Sequence, residues 1–146
     1  MQIREMNAAD YDAVYVLWLA TPGMGLNTKD DSRDGIEKYL RRNPSTCFVA
    51  EENGDIIGVI IAGHDGRRGF IYHTAVIASE RCRGIGSELT ERALSALKAE
   101  GIAKVQLVCF VKNEAGNSFW EGLGFTTRED LILRNRSIME MTRIDT

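Results

Sequence analysis

The chain has 146 residues, of which 44% are hydrophobic and 27% charged, so it fits one folded domain over 1–146 and not a disordered chain. Its net charge of −3, from 18 basic and 21 acidic residues, excludes a broad basic surface for nucleic acid. The longest apolar run, Ile56–Ala62, is too short to cross a bilayer, which needs roughly 20 residues, so we expect no membrane partner.

The first third of the chain predicts one strand and two helices. Gln2–Met6 alternates polar and apolar side chains, as a half-buried strand does. Asn7–Asp10 has the spacing of a helix capping pattern and precedes an apolar helical stripe. A second helix is predicted over Asp31–Arg42, and it ends before Pro44 because proline disfavours helical geometry in the preceding residue.

The middle of the chain predicts three consecutive strands. Cys47–Ala50 and Ile56–Ala62 flank Asn53–Asp55, whose Asn-Gly-Asp sequence is a strong hairpin signal. The turn His64–Gly69 leads into a third strand, Phe70–Val76.

Helices and strands alternate through the rest of the chain. A long amphipathic helix is predicted from Gly84 to about Ala99, then a strand, Lys104–Val111, and a short helix, Asn113–Leu123. Phe125–Leu133 and Ser137–Met141 are predicted as a closing pair of strands. The order β-α-α-β-β-β-α-β-α-β-β predicts an α/β domain, one mixed sheet with helices on both faces.

The cysteines and histidines indicate no structural cross-link. Cys47, Cys82 and Cys109 are odd in number and far apart in sequence, so we expect free thiols and a reducing, cytoplasmic location. No basic and apolar leader opens the sequence, which agrees with that expectation. His64 and His73 have no carboxylate or cysteine at metal-ligand spacing, so no metal site is predicted.

The segment Arg81–Ser87 joins a strand to the start of the long helix and carries two glycines and two arginines. A helix N-terminus presents unpaired N–H groups and a partial positive charge, which favour phosphate. Gly84 and Gly86 let the backbone approach a bulky anion, and Arg81 and Arg83 add positive charge. The segment therefore predicts a pyrophosphate-binding loop; a tight turn with solvated arginines is the alternative.

The spacing excludes two common nucleotide loops. A dinucleotide fingerprint requires a small residue three positions after Gly86, where Leu89 stands. A Walker A loop requires a lysine after its last glycine, and Gly86 is followed by Ser87.

Two motifs together resemble the GNAT superfamily of N-acetyltransferases. Arg81–Gly86 reads R-x-R-G-x-G between a strand and a long helix, which is similar to the superfamily's acyl-CoA signature. Asn113–Phe125 reads N-x-x-G-x-x-F-W-x-x-L-G-F, similar to the helix that follows the fifth strand in the superfamily. The likeness extends over about Thr46–Phe125, and the predicted order of elements fits the whole chain.

The resemblance implies acetyl-CoA as the cosubstrate, bound where the strand ending at Val76 splays from Lys104–Val111. It implies that backbone groups of residues 74–76 pair with the pantetheine arm. The loop N–H groups would hold the pyrophosphate, the Asn113 side chain would reach the arm, and Trp120 would pack near the thioester. The cofactor-binding residues so implied are Thr74, Ala75, Val76, Arg81, Cys82, Arg83, Gly84, Ile85, Gly86, Ser87, Asn113 and Trp120.

The sequence departs from the superfamily at Trp120, where many members carry a tyrosine that protonates the leaving thiolate. An indole N–H donates a hydrogen bond but is not a usable acid. Protonation contributes little to the departure of a thiol, whose ordinary pKa is about 8.5. We therefore expect the absence of the tyrosine to have a mild effect on the reaction. The alternative is that Trp120 is a core aromatic residue.

The resemblance implies that the residue that accepts the proton of the amine lies on Phe70–Val76. Relatives often carry it four and six positions before the valine that corresponds to Val76, and Tyr72 and Phe70 occupy those positions here. Strict alternation places Tyr72 on the site face and His73 on the opposite face, so it favours Tyr72. A β-bulge in the strand would reverse that argument. Tyr72 and His73 are therefore both candidate catalytic residues.

The resemblance implies transfer of an acetyl group to a primary amine by direct attack in a ternary complex. The acceptor is a small molecule or a peptide, which the sequence does not distinguish. The competing hypothesis is an acyl-CoA-binding sensor or regulatory subunit without turnover, favoured by Trp120 and the lack of an obvious base. The C-terminal strands are also candidates for the edge of a homodimer.

Overall fold

A five-stranded sheet forms the centre of the computed structural model, which describes residues 1–144. The strands are β1 (Gln2–Glu5), β2 (Phe48–Glu52), β3 (Asp55–His64), β4 (Gly69–Val76) and β5 (Val105–Leu107). They lie in sequence order, and each neighbouring pair is antiparallel except β4 and β5, which are parallel. The predicted mixed sheet is confirmed.

Helices cover both faces of the sheet, as predicted. They are α1 (Tyr11–Leu19), α2 (Arg33–Arg42), α3 (Ile85–Ala99) and α4 (Glu114–Gly122), and short 3-10 turns precede α1 and α3. The core between α1, α2 and the sheet contains Trp18 and Val59, whereas the core under α3 and α4 contains Leu89 and Ile60. Within residues 1–144 no helix combines the length and the apolar character that crossing a membrane requires.

Local capping sets where α2 begins and what precedes it. The Ser32 hydroxyl accepts a hydrogen bond from the Gly35 N–H at 3.0 Å, so the helix begins at Arg33 rather than at Asp31. Asp31 therefore lies in the loop between α1 and α2 (residues 20–32, the acceptor loop). Its carboxylate is not used in capping α2.

A β-bulge interrupts the pairing of β3 with β4. Val59 pairs with Ala75 and Ile61 pairs with Tyr72, so one residue of β3 lies opposite two residues of β4, His73 and Thr74. The additional residue reverses the alternation of side chains along the rest of β4. Tyr72 and His73 consequently both contact helices of the α1–α2 face, and the prediction that His73 lies on the opposite face is wrong.

Strand β5 is much shorter than the predicted strand Lys104–Val111. Its pairing with β4 runs only from Gly69–Val105 to Ile71–Leu107. Beyond that point the two segments separate, so residues 72–76 of β4 have no strand partner on this side within the described chain. The predicted splay between these strands is present.

The predicted closing strands, Phe125–Leu133 and Ser137–Met141, are wrong. Neither segment forms a strand, and no backbone hydrogen bond joins residues 126–141 to a neighbouring strand within residues 1–144. Alternating apolar residues form a strand only where another strand is available for pairing, and here their side chains remain exposed. Beyond them, within the described residues, Arg143 forms an isolated bridge with Asn27.

The packing of α3 on the sheet predicts a large loss of stability for Leu89→Ala. Leu89 is 0% exposed, and its Cδ1 atom would lie only 3.0 Å from a Cβ placed on Gly58. We expect the variant to lose about 2–5 kcal/mol of unfolding free energy, because truncation leaves a cavity in a close-packed core. Urea denaturation measures this loss.

Val16→Ala is the matched control, because Val16 is 66% exposed on α1. Its unfolding free energy should stay within about 0.5 kcal/mol of the parent value. Equal losses in the two variants would contradict the assignment of Leu89 to the core.

Candidate active site

A cavity of about 1800 Å³ follows the opening between β4 and the residues after β5. One end lies at the loop that begins α3, and the other end lies under the acceptor loop and α2. Residues 72–76 of β4, Asn113 and Trp120 also line it. The cavity therefore joins the glycine-rich loop, β4 and α4, the three segments to which the predicted site residues belong.

The loop end presents unpaired backbone donors. Within the described chain the N–H groups of residues 82–87 donate no hydrogen bond to another protein group, and the first helical bond of α3 runs from Glu88 N–H to the Gly84 carbonyl at 3.0 Å. Gly84 has a φ of +78°, and no atom lies within 4 Å of where a Cβ would stand. These donors and this open space fit a pyrophosphate group.

The two arginines of the loop have different surroundings. Arg81 lines the cavity, and its Nε donates to the Val76 carbonyl at 3.1 Å, which ties the loop to the end of β4. Arg83 instead forms ion pairs with Glu80 and, at 2.8 Å, with Glu52, and it is not among the cavity-lining residues. Arg81 is therefore the loop arginine whose positive charge lies at the cavity.

The remaining predicted loop and wall residues contact the cavity. Thr74, Ala75 and Val76 line it along the unpaired side of β4, and the loop residues Cys82, Gly84, Ile85, Gly86 and Ser87 line its end. Asn113 lines it and also begins α4, because its Oδ1 accepts from Gly116 N–H at 2.9 Å. Only Arg83 among the predicted cofactor-binding residues lies outside this lining.

Trp120 combines the two roles that the sequence left open. Its ring makes edge contacts with Phe119 and Phe125, at centroid separations of 4.9 and 5.3 Å, and packs against the core under α3. It is only partly buried and also lines the cavity. An aromatic residue packed against the core therefore forms part of the cavity wall.

Tyr72 lies at the end of the cavity under the acceptor loop and α2, beside other aromatic rings. Its ring lies 4.5 Å from Phe70 and 5.9 Å from Tyr39 of α2, measured between centroids, and the residue is 46% exposed. Burial raises the pKa of the Tyr72 phenol above its ordinary value of 10, and the negative charge of Asp30 raises it further. The phenol is therefore a hydrogen-bond donor at neutral pH.

His73 lies beside Tyr72 and is held from two sides. Its Nε2 is 2.7 Å from Oδ1 of Asp31, and its carbonyl accepts a hydrogen bond from Trp18 Nε1 at 3.1 Å. The two rings of Trp18 and His73 meet edge to face, with centroids 5.2 Å apart. His73 lines the same cavity as Tyr72, so the bulge brings both candidate catalytic residues to one site.

The sequence reasoning missed the contacts that hold His73. Asp31 was predicted at the start of a helix, and no pattern in the sequence connected Asp31 or Trp18 with the site. Both are distant from His73 in the sequence, and no local motif marks the bulge that brings them together. An acidic residue directly before the Ser32 cap was the one available signal.

Comparisons with known proteins agree with this geometry. The model of the Acetyltransferase (GNAT) family matches residues 11–125. An acetyltransferase of Pectobacterium atrosepticum is 34% identical over 138 residues, which cover 94% of this chain and 96% of the relative. Two solved structures share the fold: a NatC complex bound to Gag peptide and CoA, and the aminoglycoside N-acetyltransferase AAC(6')-Iy in complex with CoA. The NatC complex has a TM-score of 0.73 and 23% identity, and the match covers 88% of this chain and 87% of that one. The aminoglycoside N-acetyltransferase has a TM-score of 0.70 and 22% identity, and the match covers 93% of this chain and 99% of that one.

The chain belongs to the GNAT acetyltransferase family, as its two motifs predict. The predicted fold class is confirmed with it, and the family's cosubstrate is the predicted acetyl-CoA.

The loop geometry predicts weaker acetyl-CoA binding by Gly84→Glu. The substitution places a carboxylate beside the unpaired N–H groups, where it repels a pyrophosphate and competes for the same donors. We expect the dissociation constant to rise about tenfold or more, where tenfold corresponds to about 1.4 kcal/mol. Isothermal titration calorimetry with acetyl-CoA measures this change.

Gly101→Glu is a matched control at the other end of α3. Gly101 has a φ of +81° and, like Gly84, no atom within 4 Å of its missing Cβ, so both variants carry the same backbone strain. Only Gly84→Glu should weaken binding. Equal affinities in the two variants would contradict the assignment of the loop.

Proposed function

We propose that this protein transfers the acetyl group of acetyl-CoA to a primary amine by direct attack in a ternary complex. The observation that carries the proposal is one cavity that joins the loop at the start of α3 to Tyr72 and His73. Support for an amine acceptor comes from the two solved neighbours, one an aminoglycoside N-acetyltransferase and the other bound to a peptide. The proposed acceptor is accordingly a small-molecule amine or a peptide.

In the proposed complex the N–H groups of residues 82–87 hold the pyrophosphate, and Arg81 adds positive charge beside it. The unpaired side of β4, residues 74–76, offers backbone groups to the pantetheine arm. Asn113 and Trp120 line the arm on the other side. These groups bind and orient the thioester so that its carbonyl lies near Tyr72 and His73.

The cysteines support direct attack rather than an acyl-enzyme. Burial raises the pKa of the Cys47 thiol to about 12, and burial also raises the pKa of Cys109. A thiol that stays protonated at neutral pH is a weak nucleophile. Cys82 is exposed in the phosphate-binding loop, away from the acceptor end of the cavity.

The proton chemistry is assigned to the two residues beside the bulge. An amine acceptor arrives protonated and must lose a proton before it attacks. His73 accepts that proton, because the raised pKa of Tyr72 makes its phenol a donor and not a base. The nitrogen then forms the amide bond while the C–S bond breaks and sulfur takes the electron pair. The second N–H proton ends on sulfur, and His73 releases its proton to solvent.

Release of free thiol from acetyl-CoA in the presence of a panel of amines and peptides tests this proposal. At neutral pH, His73→Gln should lower kcat by about 10²-fold or more, which is the usual contribution of a general base. Tyr72→Phe should lower it less, because it removes one hydrogen-bond donor. His64→Gln is the matched control, since His64 pairs with Glu100 outside the cavity and its replacement should leave kcat unchanged.

The same panel discriminates against a sensor or regulatory subunit. A sensor would bind acetyl-CoA in the calorimeter and release no thiol with any amine above the enzyme-free control. That result would overturn the proposed transfer while leaving cosubstrate binding intact.

We also propose that the chain forms a homodimer through its C-terminal segment and the free edge of β5. Strand β5 ends the sheet, and apolar side chains remain exposed beyond it in the described chain. The exposed residues of this segment are Leu131, Ile132, Leu133, Ile138, Met139 and Met141. Several exposed apolar side chains in one segment are typical of a protein interface.

Light scattering after size-exclusion chromatography tests the dimer. Ile138, which is 91% exposed, is buried in the proposed interface, so Ile138→Glu should shift the protein to monomers. Val16→Glu on α1 is the control and should leave the dimer intact. A parent protein that is monomeric at all concentrations would refute the proposal.

A cytoplasmic location is the remaining proposal. Cys47, Cys82 and Cys109 are all free thiols, and Cys82 is exposed. Exposed thiols persist in a reducing compartment, which supports this location.

A further inference from the structure

We propose that Asp31 is a positioning residue that holds the imidazole of His73 in the tautomer needed to accept a proton. The inference rests on the proposed acetyl transfer and deepens it by explaining how His73 serves as the base. Asp31 belongs to no motif, and it reaches the site from the acceptor loop.

The Asp31 carboxylate is buried and fully engaged. The residue is 3% exposed, Oδ1 lies 2.7 Å from His73 Nε2, and Oδ2 accepts a hydrogen bond from Asn27 N–H at 2.8 Å. The Asp31 carbonyl accepts from the Tyr11 hydroxyl at 2.6 Å. Contacts with α1, with the acceptor loop and with β4 therefore fix the carboxylate in one orientation.

This orientation determines which nitrogen of His73 carries the proton. An ionised carboxylate only accepts hydrogen bonds, so Nε2 must be the protonated nitrogen in its contact with Oδ1. In a neutral imidazole the other nitrogen, Nδ1, then carries the free electron pair. Within residues 1–144 Nδ1 makes no hydrogen bond, and the residue lines the cavity, so Nδ1 is the available proton acceptor.

Among the described groups that contact the His73 ring, the Asp31 carboxylate carries the charge. Trp18 of α1 and Tyr72 of β4 contact the ring with neutral side chains, and Asp30 acts on the neighbouring Tyr72. When Nδ1 accepts a proton, the negative charge of Asp31 stabilises the imidazolium across the Nε2–Oδ1 contact. Asp31 thus sets both the tautomer and the stability of the protonated ring.

Asp31→Asn removes the charge and reverses the tautomer with little change in shape. An amide has one accepting oxygen, whereas Asp31 accepts from two N–H groups. The Asn27 backbone donor is fixed by the loop, so the amide oxygen remains with it and the amide NH₂ faces His73. Nε2 must then accept, and the proton moves to Nδ1, which can no longer act as the base.

Nitrogen NMR of protein labelled with ¹⁵N-histidine reads the tautomer without any turnover. The chain contains only two histidines, and His64→Gln assigns the signals of His73. We expect Nε2 to be protonated and Nδ1 bare in the parent protein at neutral pH, and the reverse in Asp31→Asn. A parent ring protonated on Nδ1, or a tautomer that does not change in Asp31→Asn, would overturn the inference.

Kinetics tests the consequence for catalysis. Asp31→Asn should lower kcat by about 10²-fold or more with little change in affinity for acetyl-CoA. Adding Asp31→Asn to His73→Gln should cost no further activity, because Asp31 acts through His73.

Asp12→Asn is the matched control for charge, because Asp12 forms an exposed ion pair with Arg33 outside the cavity, and its kcat should be unchanged. Independent losses that multiply in the double variant would show a structural role for Asp31 and refute the inference. Either result would leave acetyl transfer standing. A parent protein that releases no thiol with any amine refutes the proposed function itself.

Discussion

The site depends on one irregularity in the backbone, the additional residue that β4 carries opposite β3. Without it, neighbouring residues of β4 would face opposite sides of the sheet, and Tyr72 and His73 would belong to different cores. The bulge places both rings against the α1–α2 face. Because pairing with β5 ends at Ile71, the same stretch of β4 is also open to the cavity. One local change in register therefore supplies both the side chains and the space of the site.

The two ends of the cavity are built in different ways. The end at the loop consists mainly of backbone N–H groups at the start of α3, which one continuous stretch of chain supplies. The other end consists of side chains from the acceptor loop, α2 and β4, brought together by the packing of helices on the sheet. Most side-chain substitutions leave the backbone donors of the first end in place, whereas a few substitutions alter the lining of the second.

This division explains what the sequence revealed. Arg81–Gly86 and Asn113–Phe125 are continuous, so the family was readable from the sequence. Of the predicted loop residues only Arg83, which pairs with Glu80 and Glu52, lies outside the cavity lining. The contact of Asp31 with His73 spans 42 residues and depends on the bulge, for which periodicity has no signal. The prediction of strands at Phe125–Leu133 and Ser137–Met141 was wrong for a related reason, since an alternating pattern does not reveal whether a partner strand is present.

The acceptor loop is fastened by residues from the far end of the chain. Thr28 N–H donates to the Thr142 carbonyl and Thr142 N–H to the Thr28 hydroxyl, both at 2.9 Å, while Ile144 N–H donates to the Leu26 carbonyl at 2.8 Å. These bonds anchor the loop that carries Asp31, so the ordering of that loop is coupled to residues 142–144. A cut before Thr142 therefore removes these bonds, whereas an extension at Met1, which is exposed next to β1, leaves them in place.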